Sequence, residues 1–443
     1  MAKVVALMSA VIWGSGQVAN KQYVKGLFFF LIQMLMVGIE LGTGTLRLIL
    51  GQVPPHPRHA GMFTEGIWGI ITLGTIPRET AAVRVFDHST MLMLSGLLAI
   101  SILVAFSVFY IWNIRDAYRT RKDMERGAHR DSVRTWIKKL MYDSFEYIAI
   151  APGLAFVVLF SVIPILFAFL VAFTNYNMHN IPPRHLVEWV GFATFIEVIN
   201  NPLWNQTLLR VGAWTVAWAF GATFFAFAVG FMQAILVNSK LVRYPKFWRG
   251  MFILPWAVPA LVSQMLFRNF FVTHGVVNRI LLDIGLINYP IVFFASAGWS
   301  RAVLLIVQTW LGFAWFMVMI TGVMTTLNPE IYEAASIDGA GPWQQFKRLT
   351  LPTIFAAISP LLIMGVAGNF NNFGIVYFVT EGGPRNPAMF FAGDTDLLIT
   401  WVYRLTLDNR MYNFASVMST FIFIVIASVS VWNLRRTRAF KEE

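Results

Sequence analysis

Three amides interrupt an apolar run at Asn369-Phe370-Asn371-Asn372. Each side-chain amide carries donors and acceptors, and polar groups within an apolar run are costly enough to call for a functional reading. Asn369 and Asn372 stand three residues apart and share a helix face, while Asn371 turns away toward a neighbouring helix. On the preceding apolar run, Leu311, Gly312 and Trp315 also share one face. Gly312 lets a ligand or a second helix come close, and Trp315 offers a flat ring with one N–H. Amides beside an aromatic surface suit a sugar, with its many hydroxyls and apolar C–H patches. The same residue types also hold membrane helices together, so the residues alone leave both readings open.

A second group of interest is the stretch 326–351, TLNPEIYEAASIDGAGPWQQFKRLTL, followed by Pro352. It reads as two short helices around a turn. Asn328-Pro329 starts the first, whose small or apolar face is Ile331, Ala334, Ala335 and Ile337. Gly339 can take the left-handed conformation that ends a helix, and Pro342 stands where a new one begins. Trp343, Phe346 and Leu349 then recur at helical spacing, and Pro352 begins the next apolar run. A hairpin with small residues on one face suits docking against another protein.

These groups must be carried by elements that the composition already limits. The chain has 443 residues, 57% hydrophobic and only 13% charged, with a mean hydropathy of +0.63. A soluble chain carries about a quarter charged residues, so the balance indicates an all-α polytopic membrane protein. Eight runs approach the roughly 20 residues a crossing helix needs: 26–43, 90–112, 147–173, 208–237, 251–272, 302–327, 353–379 and 412–432. The stretches 115–139, 240–249 and 435–441 are rich in Arg and Lys. Eight alternating helices put all three on one side, which the positive-inside rule makes cytoplasmic, with both termini inside. The region 115–142 is expected to be an amphipathic helix on the membrane surface. Met1 to Trp13 is too short to span and reads as a retained interfacial or re-entrant segment. Glu40, in the first run, is placed to snorkel toward the interface.

The net charge of +12 sits in short loops between apolar runs rather than on a soluble module, which argues against nucleic acid. The chain has no Cys, and its seven His include no pair at metal-ligand spacing. It holds no G-x-x-x-x-G-K-[ST] phosphate loop, so it is expected to bind no nucleotide and to be no enzyme itself.

Glu333-Ala334-Ala335, Gly339, Leu349 and Leu351-Pro352, in that spacing, closely resemble the EAA loop of ABC importer permeases. Ile is commoner in that family where Leu349 stands. The resemblance narrows to the larger permease subunit of maltose-type sugar importers (MalF-like). It is carried by Thr309-Trp310-Leu311-Gly312, the stretch 332–342, Asn369 to Phe373, Glu381-Gly382-Gly383-Pro384, Thr395-Asp396-Leu397-Leu398 and Tyr403-Arg404. The outer loop 175–207 is short, where the best-known member inserts a large domain.

The resemblance implies an ABC type I importer permease core at 147–443, preceded by a region 1–146 with two spans and a basic segment. It implies coupling to a separate ATPase through the loop 326–352, with ATP and Mg used by that partner and no cofactor on this chain. The expected partners are a second related permease subunit, two ATPase subunits, and an extracellular or periplasmic sugar-binding protein, in a bacterial or archaeal cell membrane. The sugar-contacting positions of the family fall on Leu311, Gly312, Trp315, Asn369 and Asn372. Trp315 replaces a Tyr and Gly368 an aromatic. A maltose or malto-oligosaccharide permease is the first reading, and a permease for another oligosaccharide the second. A secondary transporter would need a midplane coupling residue and a repeated set of spans. A membrane-embedded enzyme would need an acid–base cluster, and the pair Asp394 and Asp396 reads as structural.

Overall fold

The computed structural model describes residues 1–51, 60–78, 86–127, 132–142, 144–239 and 242–436. The basic tail beyond residue 436 lies outside the described residues. Among the described residues every extended element is a helix, and only two isolated bridges, Thr174 with Trp189 and Arg385 with Gly393, are strand-like.

In chain order the helices are α1 (Ala2–Val11), α2 (Ser15–Ala19), α3 (Tyr23–Glu40), α4 (Leu46–Ile49), α5 (Met62–Thr72), α6 (Ser89–Glu125), α7 (Val133–Tyr142), α8 (Phe145–Val157), α9 (Ile163–Val171) and α10 (Ala193–Asn200). They continue as α11 (Pro202–Asn238), α12 (Pro245–Ala257), α13 (Ala260–Phe271), α14 (Val276–Asp283), α15 (Ala297–Thr325), α16 (Pro329–Ile337), α17 (Pro342–Gln345), α18 (Leu351–Phe370), α19 (Phe373–Val379), α20 (Leu398–Tyr403) and α21 (Tyr412–Arg436).

Six helical stretches are long and apolar enough to cross a bilayer: Tyr23–Thr45, Ser89–Glu125, Phe145–Val171, Pro202–Asn238, Ala297–Thr325 and Pro342–Phe370. The pair α12 and α13, bent by 87°, makes a seventh only where the two are taken together as one span. The cause of the bend is Pro259, which pushes the preceding Val258 out of helical geometry and supplies no N–H. The apolar part of α21, Tyr412–Ser428, is shorter.

The structure differs from expectation at three further places. The amphipathic region is only half separate, because α6 runs unbroken to Glu125 and the independent helix is α7. Pro352 stands in the first turn of α18, but no break precedes it. The helix starts at Pro342 and loosens into a π turn over Phe346–Thr350, where the missing N–H of Pro352 leaves slack in the ladder. The expected run 353–379 stops at Phe370, and Asn371 and Asn372 leave helical geometry before α19 resumes.

The chain packs as two compact units, residues 1–194 with 411–416, and residues 195–410 with 417 onward. In the first, α1 and α2 are tied to α6 by a buried polar knot. Lys25 pairs with Asp116 (2.5 Å), Gln17 Nε2 donates to the Asn113 carbonyl (2.9 Å), and Asn113 Nδ2 donates to the Ser9 carbonyl (2.8 Å). Glu40 is held in place by hydrogen bonds. Its carboxylate accepts the Phe63 N–H (2.7 Å) and the Thr45 hydroxyl (3.0 Å), capping the first turn of α5.

In the second unit α11 and α15 lie side by side. An added Cβ at Gly230 would fall 2.5 Å from the Phe313 carbonyl oxygen and 2.8 Å from the Phe316 Cβ, so the backbones meet where no side chain fits. Two apolar clusters fill this unit. One gathers Trp218, Ala222, Val307, Ile375 and Val376, the other Ala226, Phe227, Phe316, Ile354 and Ile358.

Candidate functional site

Between these clusters lies a polar layer. On α11, Thr223 falls between Ala222 of the first cluster and Ala226 of the second; on α15, Gln308 falls between Val307 and Phe316. Asn369, only 9% exposed, reaches into this layer from the last turn of α18. Its Nδ2 donates to Thr223 Oγ1 (3.0 Å), and its carbonyl accepts from Trp218 Nε1 (3.1 Å). Asn372 Nδ2 donates to both Asn369 Oδ1 (3.2 Å) and Gln308 Oε1 (3.1 Å). A hydroxyl and an indole N–H from α11 thus meet amides from α15 and the α18–α19 junction at one level.

The break in the helix coincides with this bonding. An uninterrupted helix would also place Asn369 and Asn372 on one face, but here Asn372 sits beyond the helix end, with φ −78° and ψ 77°. Backbone outside helical geometry is tolerated at membrane depth where it is enclosed by protein or lines a cavity. Discontinuous helices of this kind supply the polar positions of many transport sites.

The structure joins Asn369 and Asn372 directly. Leu311 and Gly312 follow Gln308 by three and four residues on α15, hence on its face, and Trp315 comes one turn later. Leu311 packs against the cluster around Trp218, while Trp315 packs against the other, its ring 4.8 Å from that of Phe316. The space beside Gly312 is taken by α11, with the Ala226 Cβ 3.0 Å from where a Cβ would stand. Gln308 and Thr223 are additions of the structure. The i, i+3, i+4, i+7 spacing of Gln308 with Leu311, Gly312 and Trp315 is the signal that could have found the first. Thr223 carries no such signal, because its hydroxyl also back-bonds to the Ala219 carbonyl (2.7 Å), as any helical threonine can.

The hairpin after α15 is built as two helices around a turn. Asn328 Oδ1 accepts the Glu330 N–H (2.9 Å) and caps α16. Gly339 takes φ +82°, reversing the chain toward α17. The hairpin is locked internally. Tyr332 Oη and Thr350 Oγ1 lie 2.9 Å apart, and Gln345 Nε2 donates to Ser336 Oγ (2.8 Å) and the Ala340 carbonyl (3.0 Å). Its outer surface stays uncovered. Ile337 is 87% and Trp343 71% exposed, and Glu333, Ala334, Gly339 and Pro352 are exposed as well. Ala335, Leu349 and Leu351 are half-buried.

The pair Asp394 and Asp396 belongs to a folded loop in the same unit. Asp396 is buried, accepts the Gly393 N–H (2.8 Å) and the Thr400 hydroxyl (2.8 Å), and lies 3.4 Å from Arg404. Burial pushes its carboxyl above the ordinary carboxylate range, with Arg404 pulling the other way. Thr215 Oγ1 accepts the Leu398 N–H (3.0 Å) and Thr207 Oγ1 the Phe390 N–H (2.8 Å), which pins this loop to α11.

Residues 226–436 match the family described as binding-protein-dependent transport system inner membrane component. The chain is 35% identical over 442 residues to the galactooligosaccharides transport system permease protein GanP of Bacillus subtilis, covering 99% of both chains. It is 33% identical to the maltodextrin transport system permease protein MdxF of the same organism, over 98% of this chain and 95% of that one. It is 32% identical to the maltose/maltodextrin transport system permease protein MalF of Escherichia coli, over 60% of this chain and 52% of that one. Among solved structures, a chain of a bacterial ABC transporter involved in import of the acidic polysaccharide alginate superposes with a TM-score of 0.56 at 22% identity. That match covers 70% of this chain and all of the other, and it shows a shared fold.

Proposed function

The chain belongs to the family of ABC importer permeases, the membrane components of binding-protein-dependent transport systems, and on that premise we propose that it forms half of a path for a neutral oligosaccharide. The observation that carries the proposal is the amide layer of Gln308, Asn369 and Asn372, held at a helix break between two apolar clusters. Leu311, Gly312 and Trp315 continue its α15 side. The relatives bring two substrate readings, malto-oligosaccharides and galacto-oligosaccharides.

In this reading the chain crosses the cell membrane eight times, counting the bent pair α12–α13 and α21, with both termini in the cytoplasm. A second related permease completes the path, and an external binding protein delivers the sugar. Two ATPase subunits, which use ATP and Mg, grip the hairpin through Glu333, Ala334, Ala335 and Gly339, with Leu349, Leu351 and Pro352 fixing its base. ATP closes the motors, the gripped hairpins move together, and the path turns outward; hydrolysis resets it. The motors must bind the two states with different affinity, since otherwise they drive nothing.

The test is uptake of labelled maltohexaose and of a galacto-oligosaccharide into proteoliposomes holding the whole complex and its binding protein. ATP-dependent accumulation of one series is the expected result. Accumulation driven by an ion gradient without ATPase subunits would overturn the proposal.

A further inference from the structure

Gln308 is not the last polar position on its stripe. Arg301 stands seven residues earlier on α15, on the same face and about 10 Å along the axis at 1.5 Å per residue. It lies at the end of α15 remote from the hairpin. There a cavity of about 400 Å³ opens, lined by Arg210, Trp214, Arg301, Asn386 and Asp394.

The wall of this cavity is organised in advance. The Arg301 guanidinium lies 4.4 Å from the centre of the Trp214 ring, and its Nε and Nη2 donate to the Asp394 carbonyl at 3.1 and 2.8 Å. Trp214 Nε1 donates to the Thr395 carbonyl (3.2 Å), and Asn386 Nδ2 donates to Asp394 Oδ1 (2.8 Å). Arg210, one turn before Trp214 on α11, is exposed and makes no hydrogen bond or ion pair among the described residues.

On this lining Arg301 lies beside Asp394, while Asp396 is buried and pairs with Arg404. A neutral sugar finds planar guanidinium and carboxylate groups that pair with neighbouring hydroxyls, and the half-buried Trp214 ring beside them for its C–H patches. Continuity points the same way, because Trp214 is followed one turn later by Trp218, whose N–H reaches the Asn369 carbonyl.

We propose that this cavity is a second saccharide subsite, holding the far end of an oligosaccharide whose leading residue lies at the amide layer. The proposal rests on the oligosaccharide reading above. Arg210 is the group free to contact sugar, so Arg210→Ala is the direct test and Arg210→Lys, which lacks the planar fork, the second. The whole complex is reconstituted with its binding protein, and half-saturating concentrations are measured for maltose and maltohexaose, with the matching galacto-oligosaccharides in parallel. Arg210→Ala is expected to raise the value for the long sugar about tenfold and that for the disaccharide by less than twofold, with Arg210→Lys in between. Equal loss for both lengths would mean that Arg210 grips the delivering protein, and no loss that it contacts nothing; either overturns the subsite. Wild-type complex that accumulates neither series would count against the parent reading instead.

Discussion

Replacing Asn369 by leucine separates a sugar contact from a packing contact. The substitution removes two side-chain hydrogen bonds, from Asn369 Nδ2 to Thr223 and from Asn372 to Asn369 Oδ1, and leaves the Trp218 bond to the backbone carbonyl. The former partners are not stranded, since Thr223 still donates to the Ala219 carbonyl and Asn372 to Gln308. Hydrogen bonds between membrane helices average about 0.6 kcal/mol each, with a ceiling near 1.7, so the fold should lose about 1–2 kcal/mol. Assembly should survive such a loss. Sugar binding is a different matter, because a hydroxyl left facing leucine loses its partner altogether. That costs about 1–3 kcal/mol, or roughly five- to 150-fold in half-saturation. The assay pairs uptake at limiting sugar with the yield of complex recovered by copurification. Reduced uptake with full yield is expected. Unchanged uptake would remove Asn369 from the path, and uptake falling in step with yield would assign it to packing alone.

Other perturbations probe the frame around this site. Gly230→Val pushes a side chain into the Phe313 backbone and the Phe316 Cβ; overpacking costs about 1–3 kcal/mol, and the purified complex should melt earlier, whereas an unshifted melting curve would deny the close α11–α15 contact. Gly339→Ala meets no neighbouring atom but must hold φ +82°, at about 1 kcal/mol, so sugar-stimulated ATP hydrolysis should fall while complex yield holds; normal coupling would show that the turn geometry is dispensable. Asp396 has a carboxyl pKa raised by burial, so its contribution to stability is full below the ordinary range near 4 and is lost as pH rises through the raised value. Melting curves between pH 4 and 8 should therefore shift in favour of Asp396→Asn as pH rises, and a constant gap between the two proteins would contradict the assignment.

Hydropathy made the long spans legible, because burial of about twenty apolar residues is a sum that needs no partner. The hairpin was legible for a related reason, since Asn328-Pro329, Gly339 and Pro342 act locally on their own backbone. What escaped the sequence depends on groups distant along the chain. Asn371 and Asn372 leave the helix where Gln308, on another helix, takes the Asn372 amide. The carboxylate of Glu40 caps a helix N-terminus more than twenty residues away, a partner its own stretch of sequence does not show. The helix α6 continues past its apolar run because Asn113 and Asp116 find partners in α1 to α3. The π turn before Pro352 lay between these cases: the proline was visible, but an added residue in the turn proved an alternative to ending the helix. At the site, Asn369 and Asn372 could be read from their spacing, whereas Thr223 looked like any small polar residue in a span.

The central claim is that the hairpin between α15 and α18 is the point where a separate ATPase takes hold. A photoactivatable amino acid at Ile337, which is 87% exposed, can be irradiated in native membranes and the captured protein identified by mass. The account predicts a single dominant product containing a nucleotide-binding subunit, strengthened or weakened by ATP as the motors close and open. Irradiation that captures lipid alone, or no ATPase in either nucleotide state, would contradict it.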